Sequence, residues 1–286
     1  MREVQSDAQL RLLGCTAQHR GDRAEQQDRV AVLASARAPR CALGVLADGV
    51  GGCAGGALAA ENVVRTSARR FDDFAPGDDA GAFFLGLVDE LNTVLHVAGA
   101  TAGLSPHSTF AAILVQPDRV DWCHVGDSRV YHVRDGRLLH CTIDHSVAGS
   151  LGKTLDGAGV LHPAGFAAGT LTDALGTRRA PHATLGGMRE PRAGDTFLLC
   201  SDGLWNPLAP DEIARELAGR APRAAAERLV EAARARAGGR GDNCSLVLLS
   251  VTSARATTAG HPAAAAPLRP APSDDGSARA RAPRAA

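Results

Sequence analysis

Aromatic side chains are scarce: one Tyr, two Trp and seven Phe make up 3% of 286 residues. So few rings argue against a base-stacking platform for single-stranded nucleic acid. Neither sign of charge is in excess, with 31 Lys+Arg against 31 Asp+Glu. A chain of zero formal charge has no global electrostatic pull toward nucleic acid or an anionic membrane. Lysine is nearly missing, Lys153 being the only one. No run of 18 apolar residues is present, and the first ten residues, MREVQSDAQL, lack the apolar stretch of a signal peptide. The seven cysteines (Cys15, Cys41, Cys53, Cys123, Cys141, Cys200, Cys244) form no CxxC pair, which excludes the usual zinc knuckle and secreted disulfide framework. These absences lead to the expectation of a reduced, monomeric, cytoplasmic protein with no membrane span. An Arg- and Ala-rich chain with one lysine also suggests a GC-rich genome.

The chain is long enough to bury a core without staples. From Ser253 onward its character changes: Pro262, Pro267, Pro270, Pro272 and Pro283 stand in an Ala/Arg/Ser background with five Arg and two Asp. Such a segment buries too little surface to offset its ordering entropy. The expected organisation is therefore a folded domain over 1–252 and a disordered, basic tail over 253–286.

Within the domain, short apolar runs bounded by turn residues predict strands at Val30–Ala34, Ala42–Ala47, Phe110–Val115, Val120–Val125, Arg129–Val133, Thr196–Cys200 and Ser245–Val251. Asp135-Gly136 predicts a two-residue hairpin joining Arg129–Val133 to Arg137–His140. Helical spacing runs over about 57–71, 79–100, 210–218 and 222–237; Phe83, Leu87, Leu91 and Leu95 form one i, i+4 stripe. The order of elements points to an antiparallel sheet system with helices packed outside. Ser146–Gly169, rich in Gly and Ala, reads as a surface flap.

The chemical signal is where aspartates fall. Asp28, Asp48, Asp127, Asp202 and Asp242 each stand at the edge of an expected strand, and Asp48 and Asp202 are each followed by glycine. A sheet can aim such carboxylates into one cleft, and an all-oxygen site suits Mg²⁺ or Mn²⁺. A lone Asp-Gly is most often only a turn. Asp127 could simply pair with Arg129, and Asp242 could cap a turn.

The residues around these acids carry more. They read Arg23-x-x-Gln-Gln-Asp28, Ala47-Asp48-Gly49-x-Gly51-Gly52, Ser108-Thr109, His124-Val125-Gly126-Asp127-Ser128-Arg129, Thr142-x-Asp144-His145-Ser146, Leu175-Gly176, Ser201-Asp202-Gly203-Leu204-Trp205 and Asp242-Asn243. In this order they resemble the compact bacterial form of the PP2C family of metal-dependent serine/threonine protein phosphatases, from about Gly14 to Val251. The resemblance implies an α+β fold, a central β-sandwich of two antiparallel sheets flanked by helices on both faces. It implies two Mn²⁺ or Mg²⁺ ions and a third, weaker site. Asp48 would bridge two metals, the Gly49 carbonyl would bind one, and Asp202 and Asp242 would complete the pair. Asp28 would orient metal-bound water, Asp127 with Asp202 would serve the third site, and Arg23 would hold the substrate phosphate. The implied reaction is direct attack of a bridging hydroxide on phosphoserine or phosphothreonine in proteins phosphorylated by a bacterial serine/threonine kinase, with no cysteine nucleophile. A catalytically weak relative that binds phosphoproteins, and a small-molecule phosphomonoesterase, are the alternatives.

Two positions depart from the family pattern. Gln27 stands where Glu is frequent and removes one carboxylate acceptor near the metals. Val50 stands where some relatives carry a histidine general acid, leaving His19, His107, His124 and His145 as candidates. The flap, with Lys153, Asp156 and His162, is expected to govern substrate choice, and Asp173 stands where arginine is common.

Overall fold

The computed structural model describes residues 10–50, 55–150 and 170–253. Two five-stranded antiparallel sheets face each other. One has the order β1 (Leu10–His19), β10 (Cys244–Ser253), β9 (Asp195–Cys200), β6 (Arg129–Arg134), β7 (Arg137–Cys141). The other has the order β2 (Asp28–Ala34), β3 (Ala42–Asp48), β4 (Phe110–Val115), β5 (Arg119–Val125), β8 (Thr184–Arg189). Helices α1 (Gly56–Asp72) and α2 (Ala80–Ala102) cover the outer face of the second sheet. The short α4 (Asp202–Trp205), with α5 (Pro210–Leu217) and α6 (Pro222–Ala237), covers the first. One turn of helix, α3 (Val147–Ser150), follows β7.

The central strands are apolar on every residue because both of their faces are buried. In β4, Phe110, Ala112 and Leu114 point to the helices while Ala111, Ile113 and Val115 point between the sheets. β10 divides the same way: Leu246 and Leu248 face α6, and Val247, Leu249 and Val251 fill the sandwich with Phe197 and Trp122. The result is a four-layer stack with three apolar seams, the α+β sandwich expected above.

α2 is long and apolar enough to cross a bilayer by length and composition alone. Here its Phe83, Phe84, Leu87, Leu91 and Leu95 are core residues packed with Phe71 and Phe74. Its start is fixed by the Asp79 carboxylate, which accepts the Ala82 N–H at 2.6 Å, an N-cap that satisfies an otherwise orphaned donor. The Asp135-Gly136 hairpin forms as expected, with φ of 49° and 76° at its two corners, the left-handed pair that matches strand twist.

β1 and β8 were absent from the expected strands. Both are edge strands, and their burial alternates weakly. β1 is held by ten register pairs to β10, from Leu10↔Ser253 to His19↔Cys244. β8 contains Gly186 opposite Trp122, where an added Cβ would meet the indole at 2.3 Å. Ser253 closes β10 rather than opening a tail; the rest of the expected tail lies outside the described residues. So do residues 151–169 of the expected flap, with Lys153, Asp156 and His162, and Gly51, Gly52 and Cys53.

Candidate active site

The register brings the aspartates to one end of the sandwich. Asp28 opens β2 and Asp48 ends β3, and they are direct cross-strand partners. Leu46 pairs with Ala111 and Phe110 with Val125, so the end of β5, and Asp127 beyond it, lies at the same end. In the other sheet Cys200 pairs with both Arg129 and Leu246. That places Asp202, just after β9, and Asp242, just before β10, beside Asp127.

A cavity of about 730 Å³ opens here, lined by Arg23, Asp48, Gly49, Asp127, Asp202 and Asp242, with Glu25, Gln27, Thr109 and Asn243 among the rest. Six of the seven residues singled out in the sequence meet in it. Asp28, the seventh, is fully buried and does not line the cavity. Its Oδ2 accepts from Ser201 Oγ at 2.8 Å, while Oδ1 has no hydrogen-bond partner.

The backbone around Asp48 is fixed on all sides. Its N–H donates to Thr109 Oγ1 at 3.0 Å; its carbonyl accepts from Thr109 N–H at 2.8 Å and Ser108 Oγ at 3.0 Å. Thr109 Oγ1 is in turn 2.7 Å from Ser128 Oγ, next to Asp127. Gly49 donates to the Gln27 carbonyl and lies against the start of α1, where any Cβ would sit 2.3 Å from the Gly56 carbonyl oxygen. Only glycine fits there.

Asn243 is the fastener that sequence reasoning named but gave no role. Its Nδ2 donates to the Arg20 and Glu25 carbonyls at 2.7 and 2.9 Å, and its Oδ1 accepts the Gln27 N–H at 2.7 Å. One buried amide thus pins the 20–27 loop, with Arg23, to the strand that follows Asp242. Arg23 extends to the cavity mouth and pairs with Asp242 at 2.5 Å.

The electrostatics are those of crowded acids. Burial raises Asp48 well above the carboxylate range, and Asp28, Asp202, Asp127 and Asp242 all push it further. Asp127 is pushed up to about 7 by burial and then by Asp202, and Asp202 to about 6 by burial and then by Asp242. Burial lifts Asp28 to about 7. Asp48 is the acid on which all four others act.

Among the described residues no three His, Cys, Asp or Glu side chains are already gathered tightly enough to hold an ion by themselves. Like charges in a low-dielectric site keep apart without a cation between them. The all-oxygen donor set, the mutual elevation of four acids and the orphaned Asp28 Oδ1 fit hard divalent cations, partly through water. Glutamine at position 27 still lines the cavity and offers a carbonyl oxygen there.

Several expectations are corrected or sharpened. Arg129 pairs with Asp144, at 2.8 Å to each oxygen, and not with Asp127. Among the described residues none of the cavity-lining side chains is a histidine. His19 accepts the Gly21 N–H and His107 lies 2.8 Å from the Ser105 carbonyl. The His124 and His145 rings lie 4.4 Å apart, tilted by 32°, outside the cavity lining. Asp173 accepts the His182 N–H at 3.1 Å, a turn contact outside the cavity. The described cysteines are all free thiols, and burial pushes Cys123 and Cys244 up to about 12. Such thiols are inert as nucleophiles at neutral pH.

Comparison with known proteins agrees with this geometry. The profile of the family described as Protein phosphatase 2C matches residues 15–236. The serine/threonine protein phosphatase PstP of Mycobacterium tuberculosis is 35% identical over 215 residues, 72% of this chain. That match spans only 40% of the length of PstP. The solved catalytic domain of PstP, in complex with two manganese ions, is 33% identical with a TM-score of 0.70, covering 85% of this chain and 100% of that one. The serine/threonine phosphatase of S. agalactiae is 25% identical with a TM-score of 0.74, covering 84% and 99%.

Proposed function

The chain belongs to the protein phosphatase 2C family, and from that premise we propose that it is a metal-dependent protein serine/threonine phosphatase. The observation that carries this reading is the convergence of Asp48, Asp127, Asp202 and Asp242, from four separate chain segments, with Arg23 on one open cavity. Two Mn²⁺ or Mg²⁺ ions, when bound, supply Lewis acidity that lowers the pKa of water and neutralises phosphoryl charge. Asp48, Asp202, Asp242 and the Gly49 carbonyl would hold them, with Asp28 behind as an acceptor for their waters and Asp127 with Asp202 serving a third ion.

The chain's own residues do the rest. Arg23 presents a planar, permanently charged fork at the cavity mouth and binds phosphoryl oxygens in the orientation that its two donors dictate. Asn243 sets where that fork stands by fixing its loop. Thr109 and Ser108 hold the backbone of Asp48, and Ser201 holds the carboxylate of Asp28, so little reorganisation remains for the reaction. Among the described residues no thiol lines the cavity, so none of the described cysteines is a candidate for a covalent phosphoenzyme there.

Likeness to named serine/threonine protein phosphatases supports phosphoproteins as substrates, with a serine/threonine kinase as their proposed source. A cytoplasmic, monomeric protein is the accompanying proposal; the free thiols of the described cysteines support the reducing compartment alone. The test compares Mn²⁺-dependent phosphate release from a phosphothreonine peptide and from phosphosugars. Preference for the peptide supports the reading; preference for the sugars makes the chain a small-molecule phosphomonoesterase.

A further inference from the structure

Asp127 and Asp202 are held together from outside the cavity by side chains that do not line it. Trp205 ends the four-residue helix α4, which begins with Asp202. Its indole N–H donates to the carbonyl of Asp127 at 2.9 Å. One side chain therefore joins the two backbone segments that carry the two acids. The ring is itself clamped, because the guanidinium carbon of Arg129 sits 3.6 Å from its centroid. Arg129 is fixed in turn by its two bonds to Asp144 and by a third, at 3.2 Å, to the hydroxyl of fully buried Tyr131. A planar fork locked onto a planar carboxylate cannot swing, and it presents a flat cationic face to the indole.

The other flank of the same turn is held as well. The Gly126 carbonyl accepts the His145 N–H at 2.9 Å, and the Gly126 N–H points at His145 Nδ1 at 3.3 Å. Asp127 is thus gripped by Trp205 on one side and by the residues after β7 on the other.

The two acids repel each other, each raising the proton affinity of its neighbours. Left to loops alone, their segments would move apart. Resting on the metal-dependent reading above, we propose that Trp205 and Arg129 are positioning residues that hold Asp127 against Asp202 and so set the cation affinity of that pair. Neither touches substrate. Their effect is transmitted through the Asp127 carbonyl and α4, as outer partners orient the ligands of other metal sites.

The test is titration of the full chain with Mn²⁺ alone, following free ion by electron paramagnetic resonance. Trp205→Phe keeps a ring for Arg129 and loses the N–H; Arg129→Lys keeps the charge and loses the fork and flat face. Asp127→Asn marks which class of bound ion belongs to that acid. The expected result is that both positioning variants weaken that same class by roughly tenfold or more, with the remaining sites unchanged. A merely structural role would lower the unfolding temperature without singling out one class. Wild-type affinity at every site in folded Trp205→Phe overturns the proposal, and so does equal loss at all sites. Trp205→Phe decides alone if Arg129→Lys does not fold. Wild-type protein that binds no Mn²⁺ brings down the metal reading itself, and this is visible before any variant is examined.

Discussion

Asp28 and Asp48 face each other as register partners across the β2–β3 ladder, one sealed beneath the cavity with an unpartnered oxygen, the other lining it. Two acids so close in a buried setting destabilise the fold that holds them unless a cation intervenes. Asp48→Asn is therefore expected to raise the unfolding free energy in the presence of chelator, by on the order of 1–2 kcal/mol, while turnover collapses. Thermal denaturation with and without Mn²⁺ checks this. A variant less stable than wild type in chelator would count against the charge-crowding account.

Arg23 pairs with Asp242 at the mouth. If its fork orients the phosphoryl group, Arg23→Lys keeps the charge and still fails. The expected loss in kcat/KM is on the order of tenfold or more, the size of one charge-assisted hydrogen bond. Steady-state kinetics on a phosphothreonine peptide, with Mn²⁺ saturating, reads it directly. Undiminished kcat/KM would remove Arg23 from the substrate.

Asn243 satisfies two carbonyls and one N–H of the 20–27 loop. Asn243→Ala removes three hydrogen bonds from part-buried groups and is expected to cost about 1–2 kcal/mol. Urea denaturation measures the loss, and hydrogen exchange should show the Gln27 amide opening faster. An unchanged Gln27 amide would mean that the loop is held by something else.

Acid sensitivity comes in two windows. His124 is fully buried, and burial lowers it from 6.5 to about 4. The unfolded chain takes up this proton first, so the contribution of His124 falls as pH drops from about 6.5 toward 4, opposite in sign to that of the raised cavity acids. Asp195 is the opposite case. It is fully buried, and its pKa is lowered despite that burial by Arg134, the Arg192 N–H and His132. Its contribution is present above the unfolded value near 3.8 and is lost only as pH falls below that. His124→Gln should remove one destabilising contribution from the first window, making stability between pH 6.5 and 4 higher relative to pH 7 than in wild type, and leave the second; urea midpoints between pH 3 and 7 would show it. An unaltered slope between 6.5 and 4 would assign that window to other groups.

The central strands and the gathered acids were legible in the sequence because both leave local marks. A strand buried on two faces is apolar at every position, and an acid aimed from its end stands out against that run. The edge strands β1 and β8 leave no such mark, since β10 and β5 supply their hydrogen bonds and neither needs strong propensity of its own. Arg129 shows the same limit. Asp127 is its neighbour in sequence, but the antiparallel return of β7 brings Asp144 over it instead. Asn243 and Trp205 carry motif identities that sequence supplies; their tasks depend on which carbonyls the folded chain sets before them.

The most direct measurement is phosphate release from a phosphothreonine peptide by wild type and Asp202→Ala, each with Mn²⁺ and with chelator. The account predicts release only by wild type with metal, from a variant and a wild type that are equally folded. Full activity in chelator, or in Asp202→Ala, would contradict a phosphatase centre built on these aspartates.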